Sequence, residues 1–466
     1  MKSNIDFTTY QSPFSWRYGT DVMRQIFSEV NKRKIWRKIW VSLAKAQYRA
    51  GIVTKEELED LQKNAPKIDI NKSLSIEKEI YHDLMSEIKV FATQAKTGGG
   101  KVHLGATSMD IEDNADIVRI SQALEIVEDK LIKLIKIFAT HIKKYQNTVC
   151  MGYTHLQPAE PTTLGYRFAI YAQDLLNDIR LLRYFKSQLK AKGMKGAVGT
   201  SASYVKLLEG KQTDAQTLSS WVMLDLGLKE VLVSSQTYPR KTDLHLSFVL
   251  ASIAQSLNKF AFDLRIMQSP NFGEWSEPRN AKRVGSSAMP FKQNPDKAEK
   301  ICSLARYISS IVDISWSNAA ESLLERTLDD SASRRIFIPE AFLATDEILS
   351  VSIQLTEGLV VRGENIQRNL EKYGPFAGTE SLMMEAVKNG ANRQEMHEAI
   401  RTAAMEAWDQ INKTGINPLV NILKNDKMIT TYIDKIEIPR LIEPQNHTGL
   451  AQKKCLLVLK EIAKEV

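Results

Sequence analysis

The stretch TSMDIEDNADIVRI, Thr107 to Ile120, opens the segment whose periodicity decides the fold. From Ile117 onward, apolar or aromatic residues recur at Ile120, Leu124, Val127, Leu131, Leu134, Phe138 and Tyr145, three and four apart except where His141 takes a turn. That spacing is a heptad seam, the mark of a helix packed lengthwise on another. Ile126, Ile132, Ile135 and Ile142 widen the stripe, so the helix meets several neighbours and a multi-helix bundle follows. Ser108 is the expected N-cap, and Asp110, Glu112 and Asp113 place negative charge at the positive end of the helix dipole.

Comparable stripes recur along the chain. Leu164, Phe168, Tyr171, Leu175, Leu182, Phe185 and Leu189 mark one, and Leu246, Val249, Ile253, Leu257, Phe260 and Leu264 another. Ile301, Leu304, Ile308 and Ile311 begin a third, while Pro339, read as a helix start, precedes Phe342, Ile348, Ile353 and Leu359. Strand alternation is sparse, EVLVSS at Glu230 to Ser235 being the best candidate. The expected class is therefore all-α, with three helical domains. Residues 1–107 carry shorter helices, one of them showing Ile76, Ile80, Leu84, Ile88 and Phe91 on a single face. Residues 108–361 form a long central bundle, and residues 362–466 form a terminal domain broken by KYGPFAG, NGAN, GINP and EPQNHTG.

At 466 residues the chain exceeds one compact core, and its 43% hydrophobic content lets burial drive folding without crosslinks or metals. Three scattered cysteines argue for a reducing compartment rather than a disulfide scaffold. The N-terminus lacks a basic start followed by an apolar run, and no stretch is long enough to span a membrane, so a cytoplasmic protein with no membrane partner is expected. A net charge of +8 suits nucleic acid or a small polyanion, but cations alternate with carboxylates along the chain, which disfavours nucleic acid. Metal-ligand spacing, a nucleophile elbow and a dinucleotide fingerprint are all missing.

Four polar segments carry the candidate chemistry. VGSSAMPFKQNP, Val284 to Pro295, lies in an irregular run from Ser269 to Glu299. Loops of that length are uncommon in compact domains and are often lids or binding loops. Trp275, Met289 and Phe291 are anchors that a bare linker would not keep. GYTHLQPAEPTT, Gly152 to Thr163, reads as a polar turn between two long helices. Its His155 can exchange a proton near neutrality, with Thr154, Gln157 and Thr163 to orient it, although a lone histidine is more often structural than catalytic. YHDLM, Tyr81 to Met85, is followed by GGGKVHLGATSMD, Gly98 to Asp110, which lacks the spacing and hydroxyl of a Walker loop, so nucleotide hydrolysis is excluded. His82, read on a helix among apolar neighbours, suits a core histidine, and His103 a turn residue. Thr107 and Ser108 suit either anion binding or simple capping. In ERTLDDSASRR, Glu325 to Arg335, the arginines beside Asp329 and Asp330 fit a solvated ion-pair patch or a clamp for carboxylate and phosphate.

Together and in this order, the four motifs resemble those of the fumarase/aspartase superfamily, GSSAMPFKQNP being similar to its signature loop and RTLDDSASRR to the adenylosuccinate lyase branch. The resemblance runs from Tyr18 almost to the C-terminus. It implies a fumarase/aspartase-like fold and a homotetramer whose active sites are shared between subunits. It also implies β-elimination of fumarate from adenylosuccinate, giving AMP, and from SAICAR, giving AICAR, with no redox cofactor and no metal. Matched motif to motif, Ser286 is the base, with Ser287 as the alternative serine, and His155 is the acid. Lys292 and Asn294 hold the carboxylate that gains charge, and His82 joins the catalytic set. Arg17, Tyr18, Asp83, Thr107, Ser108, Gln236, Arg326, Ser331 and Arg335 match substrate contacts, as do Tyr81, Ser287, Met289 and Lys300. Tyr81 and Lys300 stand where relatives commonly carry arginine, and Gln293 where a basic residue is usual, which bears on the relative preference for the two substrates. The rival expectations are another lyase of the superfamily, such as an argininosuccinate lyase, and a non-catalytic helical scaffold. A scaffold has no use for His155, Ser286, Lys292 and Asn294 as a set.

Overall fold

A computed structural model describes residues 7–278 and 287–466. Five long helices dominate it, Ser108–Tyr145, Leu164–Gln188, Lys241–Gln268, Asp296–Ala320 and Asp329–Glu357, and the protein is all-α apart from short strands. None of the described helices is long and apolar enough to cross a membrane. The chain divides into two compact units, residues 1–130, 178–255 and 303–350 in the first and residues 131–177, 256–302 and 351–466 in the second.

In the first unit the seam residues Ile117, Ile120, Leu124 and Val127 are buried, as their heptad spacing requires. In the second unit the same helix presents Phe138, which meets Phe260 edge to face at 5.1 Å between ring centres and also touches Phe168 and Tyr171. Trp275 stacks on Phe260, closing an aromatic cluster. His141, which interrupts the seam, stacks on Tyr145 and donates from Nε2 to the Thr356 carbonyl at 2.7 Å. At Gly165 a Cβ would stand 2.6 Å from the backbone of Gln146, so only glycine lets the next helix start so close to the end of this one. Further along, Leu382, Ala386, Met396, Ile400, Leu419, Leu423 and Ile438 belong to a separate buried cluster.

Four local expectations are overturned. Pro339 lies inside the Asp329–Glu357 helix rather than at its start. EVLVSS forms no strand; Glu230 makes only an isolated bridge to Ala191. The polar turn after Tyr145 is an antiparallel hairpin, Val149–Thr154 paired with Gln157–Thr163, whose prolines at 158 and 161 mask its strand character in the sequence. The face running from Ile76 to Phe91 belongs to two helices, Ile70–Ile80 and Asp83–Gln94, separated where Tyr81 turns left-handed.

Truncating Phe138 removes a ring that three aromatic neighbours enclose. Phe138→Ala is expected to cost about 3–5 kcal/mol, read as a lower urea midpoint for unfolding.

Candidate active site

The RTLDDSASRR motif starts in the connection before the Asp329–Glu357 helix, which it enters at Asp329, and its charges divide between a buried and an exposed side. Asp330 and Arg334 point inward and are buried. Arg334 donates from Nε to Asp243 at 2.7 Å and from Nη2 to Asp116 at 3.1 Å. Arg240, also buried, binds Asp113 through both terminal nitrogens at 3.1 Å and Asp330 through Nε. Tyr238 donates its N–H to Asp113 and its hydroxyl to Asp243. This is a desolvated network, not the solvated patch that composition allowed. Burial would raise the Asp116 carboxyl, but the guanidiniums of Arg119 and Arg334 overcome it and hold the group at about 2.

The outward face opens on a cleft of about 120 Å³ lined by Lys32, Glu112, Arg119, Arg326, Ser331 and Arg335, among others. That is less than the roughly 300–1,000 Å³ of typical ligand pockets, so this cleft has room for only part of a ligand, such as one anionic group. Arg326 is fixed by Asp330 at 2.8 Å and Arg335 by Asp83 at 2.7 Å. Although Asp83 is largely desolvated, Arg335 and Lys32 keep its carboxyl below the usual range. Glu112 behaves oppositely: burial, reinforced by the charge of Asp83, pushes it up to about 8.

Other expected contacts gather in the same unit. His82 is exposed and is not a core histidine on a helix; it caps the Asp83–Gln94 helix, its Nδ1 accepting the Met85 N–H at 3.4 Å. Thr107 donates its N–H to Asp110 at 3.1 Å, and the helix proper begins at Ser108, so Ser108 is its first residue rather than its cap. Asp110 is itself buried against Lys192 and the backbone N–H groups of Lys195 and Gly196. Gln236 donates its N–H to the Glu325 carbonyl at 3.0 Å, next to Arg326. Arg17 lies over the Trp16 ring, Tyr18 meets Phe14 edge on, and Tyr81 projects into solvent. His103, left open as a turn residue, has φ 67° and accepts the Trp40 indole N–H at Nδ1. Burial, with the charge of nearby His82 adding to it, lowers this imidazole to about 4 despite Asp110.

In the second unit His155 and Leu156 form the two-residue tip of the hairpin, with φ of 54° and 60°. Positive φ at both central positions matches the right-handed twist of the strands but is costly for non-glycine residues. His155 is thereby held solvent-exposed on a short rigid ribbon. Ser286 lies outside the described residues. Ser287, Met289 and Lys292 are exposed, with a turn closed by the Lys292 N–H on the Met289 carbonyl at 3.0 Å. Asn294 is half-buried just before the Asp296–Ala320 helix, on whose first turns Lys300 lies, also half-buried.

Comparisons with known proteins decide the family. Residues 16–309 match the Lyase family model and residues 375–455 the model of the adenylosuccinate lyase C-terminus. The chain is 36% identical to adenylosuccinate lyase of Saccharomyces cerevisiae over 99% of its own length and 95% of the relative's. It is 35% identical to that of Archaeoglobus fulgidus, over 96% and 98%. The chain belongs to the adenylosuccinate lyase family. Solved structures share its fold at low identity: fumarate lyase from Mesorhizobium sp. BNC1 superposes with TM-score 0.84 at 22% identity, covering 97% of this chain and 99% of that one. The 3-carboxy-cis,cis-muconate lactonizing enzyme from Pseudomonas putida gives 0.86 at 21%, covering 98% and 100%.

Several residues that line the cleft of this adenylosuccinate lyase family member escaped the motif reading, notably Lys32, Glu112 and Arg119. Lys32 and Arg119 sit on helices away from the recognised motifs, and Glu112, one turn past Ser108, read only as a charge at the helix start. Arg240 carried a faint signal, a lone arginine in a proline-bearing stretch just before a helix. Among the described residues, no group of histidine, cysteine and carboxylate side chains is arranged to hold a metal ion.

Glu112 makes a pH-dependent contribution of definite sign. The unfolded chain releases its proton near 4.5, the ordinary value, whereas the folded protein keeps it to about 8. Stability from this group is therefore complete below the lower value and is lost as pH rises through the upper one. Glu112→Gln is expected to leave the urea midpoint almost unchanged in acid and to raise it increasingly across that window.

Proposed function

We propose that this protein cleaves the carbon–nitrogen bond of adenylosuccinate to release fumarate and AMP, and of SAICAR to release fumarate and AICAR. The observation that carries the reading is the pair of arginines at the cleft, Arg326 and Arg335, each oriented by a carboxylate in a chain that matches nearly the whole length of its relatives. A guanidinium held at the correct angle meets a carboxylate or phosphate with two parallel hydrogen bonds and loses little entropy in doing so.

In this reading Ser286, or Ser287 in its place, removes the Cβ proton of the succinyl group. Negative charge then develops on the adjoining carboxylate, where Lys292 and Asn294 strengthen their hold as the transition state forms. His155 protonates the departing nitrogen, and its exposure at the hairpin tip leaves the imidazole accessible to a ligand. His82 assists beside Asp83. Arg17, Tyr18, Tyr81, Thr107, Ser108, Gln236, Ser331, Met289 and Lys300 complete the contacts to a ligand with one phosphate, two carboxylates and a purine. The reaction proceeds without a redox cofactor or metal. The working molecule is a cytoplasmic homotetramer, its sites shared between copies, with the chain organised as regions 1–107, 108–361 and 362–466. Large apolar side chains left exposed on the long helices, among them Ile170, Phe248, Phe262 and Trp316, support such association.

Fumarate release from each substrate, followed by ultraviolet absorbance, tests the activity. His155→Ala and Ser286→Ala are each expected to lower turnover about 10²–10⁴-fold while the assembly stays intact. Turnover close to wild type in both variants refutes the assigned roles. Placing a charge in the exposed apolar stripe, as in Phe262→Glu, is expected to reduce the sedimenting species below four chains.

A further inference from the structure

Gln268 is the last residue of the Lys241–Gln268 helix, and its amide makes two hydrogen bonds to segments far apart in sequence. Its oxygen accepts the Glu277 N–H at 2.9 Å, and its nitrogen donates to the Gln293 carbonyl at 3.0 Å. Glu277 is buried, 4% exposed, and its Oε1 accepts the Ala298 N–H at 2.8 Å. Ala298 lies in the first turn of the Asp296–Ala320 helix, where N–H groups lack helical partners and a carboxylate also meets the positive end of the dipole. Just before Glu277, Trp275 and Ser276 pair with Val361 and Val360, which anchors that backbone independently. One amide side chain thus holds the Gln293 carbonyl, and one carboxylate holds the first turn of the helix that follows. Gln293 lies between Lys292 and Asn294.

From this geometry we infer that Gln268 is a positioning residue, which sets where the Lys292 and Asn294 side chains stand when the substrate carboxylate gains charge. The inference rests on the proposed lyase reading and extends it to a residue that touches no ligand. Glutamine is the type the position demands. Satisfying an N–H and a carbonyl at once takes a side chain with one acceptor and one donor at the same end, which a carboxylate, an ammonium or an apolar group cannot supply. A displacement of about 1 Å in a group remote from the reacting atoms is enough to lower rates on the order of 10²-fold.

The test starts from wild-type fumarate release from adenylosuccinate; its absence sinks the lyase reading and leaves this one without an object. Given activity, Gln268→Leu, which keeps the bulk and removes both hydrogen bonds, is expected to lower kcat and kcat/KM together by at least about tenfold, with KM and the thermal midpoint little changed. Made in a Lys292→Ala background, the same substitution is expected to cost less than about twofold, because the side chain it serves is gone. Gln268→Glu keeps the acceptor for Glu277 but sets a carboxylate oxygen against the Gln293 carbonyl, and is expected to match the leucine variant; it also carries the test if the leucine variant fails to fold. Wild-type kcat in either folded variant overturns the inference. So does a loss that recurs undiminished in the Lys292→Ala background, which marks a purely structural role.

Discussion

Two guanidiniums buried among carboxylates govern the first unit. Arg240 and Arg334 are removed from water, and a desolvated cation costs several kcal/mol unless its partners meet it closely. Those partners come from different elements: Asp113 and Asp116 from the Ser108–Tyr145 helix, Asp243 from the Lys241–Gln268 helix and Asp330 from the Asp329–Glu357 helix. The arrangement leaves little freedom. Turning the Asp329–Glu357 helix by one residue, about 100°, would carry Arg334 away from Asp243 and drive Arg335 inward. The rotation that satisfies the buried pairs is therefore also the one that leaves Arg335 facing the cleft and Asp330 within reach of Arg326.

The same logic operates at the start of the Ser108–Tyr145 helix. Asp110 is enclosed by the Lys192 ammonium, the Tyr204 hydroxyl and the N–H groups of Lys195 and Gly196, and still accepts from Thr107. The backbone can reach it because Gly193 and Gly196 adopt φ of 84° and 70°, which side-chain-bearing residues rarely take. Asn114, one turn along the helix, ties the Gly193 N–H and carbonyl in the same way. Thr107 and Ser108 thus lie on a backbone held by charge and glycine together.

Helical class and the long bundle were legible in the sequence because burial imposes a period that any stretch of about fifteen residues displays. The cleft was legible only where its residues cluster along the chain, as in RTLDDSASRR. Residues that reach the cleft by tertiary packing, such as Lys32 and Arg119, carry no local mark. Left-handed turns at non-glycine residues were hidden too. Tyr81, His103 and His155 all adopt positive φ, and a sequence reader has no cause to end a helix or close a two-residue hairpin at a tyrosine or histidine. The Lys192–Thr200 stretch, with glycines three apart at 193, 196 and 199, was overlooked although that spacing signals backbone brought close to another group.

These left-handed positions form a pattern of their own. At Tyr81 the break reorients the chain so that His82 can cap the next helix and Asp83 can reach Arg335, while the tyrosine ring is left in solvent. Straightening the break would give one continuous helix of good propensity, yet it would remove Asp83 from its arginine. Arg335 would then keep its charge but lose its direction, and direction is what a forked donor contributes beyond a point charge. The cost of the unfavourable backbone at residue 81, about 1–3 kcal/mol for such conformations, is thus offset by an ion pair at the cleft mouth. The tyrosine adds no charge there, and the cations that line the cleft are Lys32, Arg119, Arg240, Arg326, Arg334 and Arg335.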